Sequence, residues 1–198
     1  ALSLHNIDGQ AGDYRLTVDA VAGTVAFATV GATTPLSGLR VTSAAILSFS
    51  GAVRADDQGI DITAGAVSFS GAIFTTSSGT MEVTNSGTLS FANAADLTLD
   101  GSFTQNGTGL VTSGASISTT GDAVSFLRAV TLTEDALIST ANGNVTYSAD
   151  VSGDFLLTVT AGDGTVNFAT VGAATPLSGL LVTSAFNLSF AGAVRADA

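Results

Sequence analysis

The side chains able to do acid–base or metal chemistry are few, and almost all are carboxylates. Asp56, Asp57 and Asp61 form one cluster, Glu134 and Asp135 another, and Asp163 stands between Gly162 and Gly164. Glycoside hydrolysis needs two facing carboxyl groups, one of them held protonated, and these clusters are the candidates for it. Each falls at or beside an expected corner of the chain, where Asp is an ordinary turn former. A polysaccharide lyase would also want basic residues beside its acids, and there is no Lys; Arg54 near Asp56 recurs as Arg195 near Asp197, which is repetition, not a site. His5 is the lone imidazole and there is no Cys, so a Ser/His/Asp arrangement, a thiolate or a zinc centre has no material. Oxygen ligands leave Ca²⁺ as the weak metal candidate, at Asp56, Asp57 and Asp163, although the nonapeptide Gly/Asp signature of calcium β-rolls is missing. The expectation is no catalytic residue, no cofactor and no enzyme, with polysaccharide binding or degradation as the alternative.

Other motifs are equally bland. Asn106, Asn144 and Asn187 match the glycosylation pattern, but Asn144 and Asn187 abut predicted strands, which favours chance. Thr131/Thr133 and Thr158/Thr160 are not continued at one fixed place, as an ice-binding array would require. Sixteen acids against five Arg give a net charge of −11, which argues against nucleic-acid phosphates and anionic membrane surfaces. An uncharged run over 164–194 alternates apolar with polar residues and holds Gly and Pro, so no membrane span is expected in it.

What positions these residues is a repeat. Leu16–Asp57 returns without a gap at Leu157–Ala198, offset by 141 residues and identical at about three quarters of positions. Inside it runs a shorter motif, apolar–polar–aromatic, whose rings are Phe27, Phe49, Phe69, Phe91, Phe126, Tyr147, Phe168 and Phe190. Their spacings are 22, 20, 22, 35, 21, 21 and 22. Taking 35 as two short turns, with the missing rung near Leu110–Val111, divides 141 residues into seven coils of about twenty. Each coil then holds three short strands, apolar residues inward and Ser, Thr, Arg or Asp outward. Gly-rich corners separate them, with Pro35 and Pro176 at equivalent ones.

These features predict an all-β parallel β-helix, a single continuous solenoid over 1–198 with roughly nine to ten coils and a column of stacked rings inside. Asp100–Asp122, almost all Gly, Ser and Thr, is expected to form short coils with a thinned core, or else a flexible insertion. The chain begins and ends inside a repeat, so it has the look of an excised segment, and open coil ends are sticky sheet edges. Self-association through end-to-end coil stacking, or contact with neighbouring repeats of the same polypeptide, is therefore expected.

The phrasing VNFATVGAATPLSGLLVTSAFNLSFAGAV, with GDAVSFLRAVTLTEDALISTANGNVTYSADV, resembles the β-helical repeats of giant bacterial surface proteins, the filamentous-haemagglutinin and autotransporter-like adhesins. The resemblance covers essentially the whole chain. It implies a right-handed β-helix, secretion to an extracellular or cell-surface location, and an adhesive or scaffolding role with host-cell or matrix glycans as partners.

Overall fold

A computed structural model describes residues 1–9 and 14–197, so Ala198, the last residue of the echo, lies outside it. The described chain forms twenty-two strands in one parallel system, with no helix among its described residues. It winds as a β-solenoid of about nine turns with a spacing near 21 residues. Short strands such as Leu89–Phe91, Leu97–Leu99 and Val124–Phe126 bury their first and third residues and turn the middle one outward. That is the period of two expected from the pattern. A few strands run through a corner without a break, among them Thr24–Val30, Val53–Ala64 and Val145–Ser152.

Three faces stack along the axis. On the first, Val25, Leu47, Val67, Leu89, Val111, Val130, Val151 and Val171 lie in register. The second carries Val30, Val53, Ile73, Leu97, Ile117, Ile138, Val159 and Val182. Along the third run Leu16, Leu39, Ile60, Met81, Phe103, Val124, Val145, Val166 and Leu188. Residues 100–122 belong to these ladders: Phe103–Gln105, Val111–Ser113 and Ile117–Thr119 each pair above and below. The expected rung near Leu110–Val111 is Val111, fully buried on the first face, while Leu110 is exposed.

The ladders revise the arithmetic of the long repeat. Phe27 and Phe49 are on the first face, but their echoes Phe168 and Phe190 are on the third. Leu39 is on the third face and its echo Leu180 on the second; Val53 is on the second and Val194 on the first. One long repeat therefore spans six and two-thirds turns, not seven, and 141 residues divided by that number is about 21 per turn, in agreement with the ladders. The second copy of the motif is turned by one face. This is physically cheap because each strand bonds only to the strands above and below it, so three near-equivalent faces accept the same short motif. The local geometry travels with the sequence. Gly31 and Gly172 both have φ near +67°, and a Cβ there would meet the carbonyl of Arg54 or of Arg195. Both glycines open the same Pro-containing corner, at two different edges of the prism.

The rings follow the same shift. Phe27, Phe49, Phe69 and Phe91 stack on the first face with centroids 5.1, 4.7 and 5.3 Å apart. Phe126, Tyr147, Phe168 and Phe190 stack on the third at 5.1, 5.3 and 5.4 Å. Phe103 joins the two files, edge-on to Phe91 at 6.0 Å and tilted against Phe126 at 5.1 Å. The spacing of 35 is thus two faces within one turn, from Phe91 to Gln105, and then one full turn to Phe126. Above the switch the ring positions of the first face are taken by Ser113 and Leu132; below it those of the third are Val41, Ile62 and Val83. Outside the switching layer, each layer holds a ring on one of these faces and a smaller residue on the other. A close-packed interior of constant cross-section requires this.

Candidate functional site

The acidic residues brace the corners between coils. The Thr76 hydroxyl donates to Asp56 at 2.7 Å, and hydrogen bonds from Ser77 and Thr76 hold the Asp56 carboxyl below its ordinary value. Asp100 accepts from the Ser78 backbone N–H at 2.9 Å and from the Thr120 hydroxyl at 2.8 Å, and these bonds lower it in the same order. Asp96 accepts from Ser116 N–H, Asp135 from Leu156 N–H and Asp150 from Thr170, Ala173 and Ala174, each one coil on. A general acid needs its carboxyl raised, and Asp56 and Asp100 are moved the other way.

Asp61 lies on the outside of the third face between Arg40, at 3.2 Å, and Arg15, at 3.7 Å. Arg40 and Asp61 are register partners, so this is a cross-coil ion pair on an exposed surface. Asp57 and Asp163 are exposed. Asp56 and Asp57 follow Val53 on its turn, and Asp163 precedes Val166 five third-face steps above Ile60. Five coils are about 24 Å, too far for these acids to share one cation. Glu134 and Asp135 sit at another corner again, after Leu132 of the first face. Among the described residues no three His, Cys, Asp or Glu side chains converge as a metal site. His5 is exposed on Leu2–Ile7. Asn106 is engaged, accepting from the Thr84 hydroxyl and donating to Glu82, both at 2.6 Å.

Two polar features of the interior have only a weak signature in the sequence. Gln105 and Asn85 are fully buried where the ring file changes face, and Gln105 Nε2 donates to Asn85 Oδ1 at 2.8 Å. Gln105 also accepts from Arg128 N–H, and Asn85 donates to the Gly87 carbonyl. Thr75, Thr119 and Thr140 turn inward at the end of the second face and donate to carbonyls three or four residues on. The signal for these three is Ile-x-Thr before a Gly- or Asp-containing corner, as in Ile73-Phe74-Thr75, Ile117-Ser118-Thr119 and Ile138-Ser139-Thr140. No buried side-chain nitrogen or oxygen among the described residues lacks a partner. Burial pushes the Tyr147 phenol far up, so it stays protonated throughout the ordinary pH range.

Three surfaces stand out. A polar trough of about 340 Å³ follows the corner between the third and first faces, lined by Ser43, Thr63, Thr84, Asn85, Asn106 and Thr108 among others. A small apolar recess lies between Pro35, Ala55 and Phe74, with the Arg54 guanidinium 5.1 Å over the Phe74 ring. The third is the C-terminal end of the solenoid, where Val194 is 45% exposed, Leu188 41% and Phe190 39%. Their counterparts one long repeat earlier, Leu47, Phe49 and Val53, are at most 1% exposed, because Val67, Phe69 and Ile73 lie on them. The same motif is core in one place and bare in the other.

No helix among the described residues is long and apolar enough to cross a membrane. Comparison with protein-family models, with curated proteins and with solved structures finds no match for this chain. The class of the protein, a parallel β-solenoid of repeats, rests on its own ladders.

Proposed function

We propose that this chain is a segment of a repetitive extracellular or cell-surface fibre, a stiff rod with a structural or adhesive role. The observation that carries this reading is the ladder construction itself: along three faces each strand pairs with its counterpart one turn on, and a long motif recurs within the ladders without a gap. Stiffness follows from the construction, with three parallel ladders bonded along the axis and two files of rings joined through Phe103 inside. The resemblance to bacterial surface adhesins supports the extracellular placement. The net charge of −11 and the outward Ser, Thr and Asp suit a hydrated exterior.

The test is length. A chain extended by one further 141-residue repeat gains six and two-thirds turns, or about 32 Å of rod, at the parallel-strand spacing. Electron microscopy of extended chains should show this increment at constant width, and a compact or branched particle would refute the rod. Adhesion is measured separately, by binding to glycan arrays and host cells; silence on both leaves a mechanical spacer.

A further inference from the structure

We propose that the recess on the second face, walled by Pro35, Ala55 and Phe74 and headed by Arg54, binds a small carboxylate carried on a planar apolar ring. The proposal is independent of the rod reading. It starts from a residue that the coil pattern does not explain. Phe74 is the outward, half-buried member of Ile73–Thr75, on a row of register partners that continues through Thr98, Ser118, Ser139 and Thr160. Those four are all hydroxyls, as an outward row in water should be. A ring at this place adds nothing to the sealed interior, whose ring files run on the first and third faces. It faces Arg54 instead, its register partner one coil below, whose guanidinium lies 5.1 Å over it.

The chain beneath is shaped to leave room for a ligand. Val30 pairs with Val53 and Leu36 with Ala55, so residues 31–35 stand against the single position of Arg54. A bulge of this kind re-aims the side chains around it, and here it makes an exposed ledge that ends in Pro35. With Thr76 at its margin the recess holds about 310 Å³, at the lower end of the range for small-ligand sites. Arg54 is the one charge in its lining. Arg15 and Arg40 share Asp61, whereas the Arg54 guanidinium has no ion pair and no hydrogen-bond partner among the described residues. Asp56, two residues on, is engaged with Thr76 and Ser77. A guanidinium stacked on a ring keeps its N–H edge free, and that edge matches both oxygens of a carboxylate. The apolar body of the ligand then meets Pro35, Ala55 and the margin of Phe74. The cation selects a carboxylate over a neutral ring, and the apolar walls select a ring over a bare anion. The net charge of −11 is spread along the solenoid and screened beyond about 8 Å at physiological ionic strength, so it leaves the local attraction of Arg54 in place.

The experiment is an NMR titration of the full chain with benzoate, benzamide and acetate, read at methyl, aromatic and arginine side-chain signals. Benzoate should move the Ala55 methyl, the Phe74 ring and the Arg54 Nε–H together along one saturable curve. Benzamide lacks the charge and acetate the ring, and each should bind roughly tenfold or more weakly. Added salt should weaken benzoate and leave benzamide unchanged. Arg54→Gln keeps the reach without the charge and should bring benzoate down to the level of benzamide. Phe74→Thr installs the residue type of its register partner Thr98 and should weaken both. Both positions face outward, so the far-UV β signal should persist in each variant, and the comparison of three ligands on the unaltered chain needs no variant at all. The proposal is overturned by an absence of saturable shifts at the recess, by equal binding of benzamide or acetate, or by undiminished benzoate binding in folded Arg54→Gln. Equal shifts at Arg40 and Arg128 would also overturn it, since they would mark a diffuse counterion.

Discussion

Moving a ring from one face to the other tests the layer rule directly. Phe69 fills the first-face position of its turn and Val83 the third-face position; three turns later Leu132 and Tyr147 hold these places in reverse. Phe69→Leu removes a fully buried ring and its stacking on Phe49 and Phe91, 4.7 and 5.3 Å away. The cost is about 2–3 kcal/mol, a modest cavity plus about 0.5–1.5 for each ring pair. Val83→Phe alone forces a second ring into an occupied layer and costs about 1–3 kcal/mol in strain. If the two positions were independent, the double variant would lose about 3–6 kcal/mol. If the layer has one ring's worth of volume, the new ring fills the space left by the old one, and the double variant recovers about 2 kcal/mol of that sum. A double-mutant cycle by denaturant unfolding, with m-values checked for constancy, measures the coupling. Additivity within about 0.5 kcal/mol would show that the two faces do not share a volume, and the account of the ring switch would fail.

Three further outcomes follow from the same structure. Phe69→Asp places a carboxylate between two rings in a sealed core, and circular dichroism should show loss of cooperative thermal unfolding near neutral pH; an unchanged transition would mean that the interior is not as described. Asp56 and Asp100 are lowered by bonds that the unfolded chain lacks, so their contribution is complete above about pH 4, the unfolded carboxylate value, and fades as pH falls through the lower folded values. Thermal unfolding between pH 2 and 5 should show this loss, and Asp100→Asn should flatten it; an unaltered slope would remove the brace. Gln105→Ala strips the donor from Asn85 Oδ1 and the acceptor from Arg128 N–H, and at about 1–3 kcal/mol for each group left unpaired should lower the unfolding midpoint well beyond a surface control such as Arg40→Ala.

Much of this fold is local and therefore legible. Leu89-Ser90-Phe91 must turn Ser outward whatever surrounds it, because successive side chains on a strand alternate. Asp100–Asp122 was harder to read because its inward residues include Gln105 and Ser113, which look like loop residues until Asn85 and the neighbouring carbonyls supply their partners. The corner acids were legible as turn formers. Their bonds to the coil above join residues 20 to 24 apart, a distance at which no local pattern identifies the partner.

The amino-acid sequence by itself determined that the chain coils, which residues point inward, that rings stack at nearly every turn and that a long motif recurs. Only the tertiary structure decided on which face each motif lies. That depends on the accumulated length of the corners, which runs from Phe27 to Val30 in one turn and from Phe91 to Leu97 in another. Each corner shifts the phase slightly, and the shifts add up over the whole chain. A strand has no preference among three equivalent faces, so its place is fixed by the ladder beneath it, and the 141-residue echo returns one face out of step.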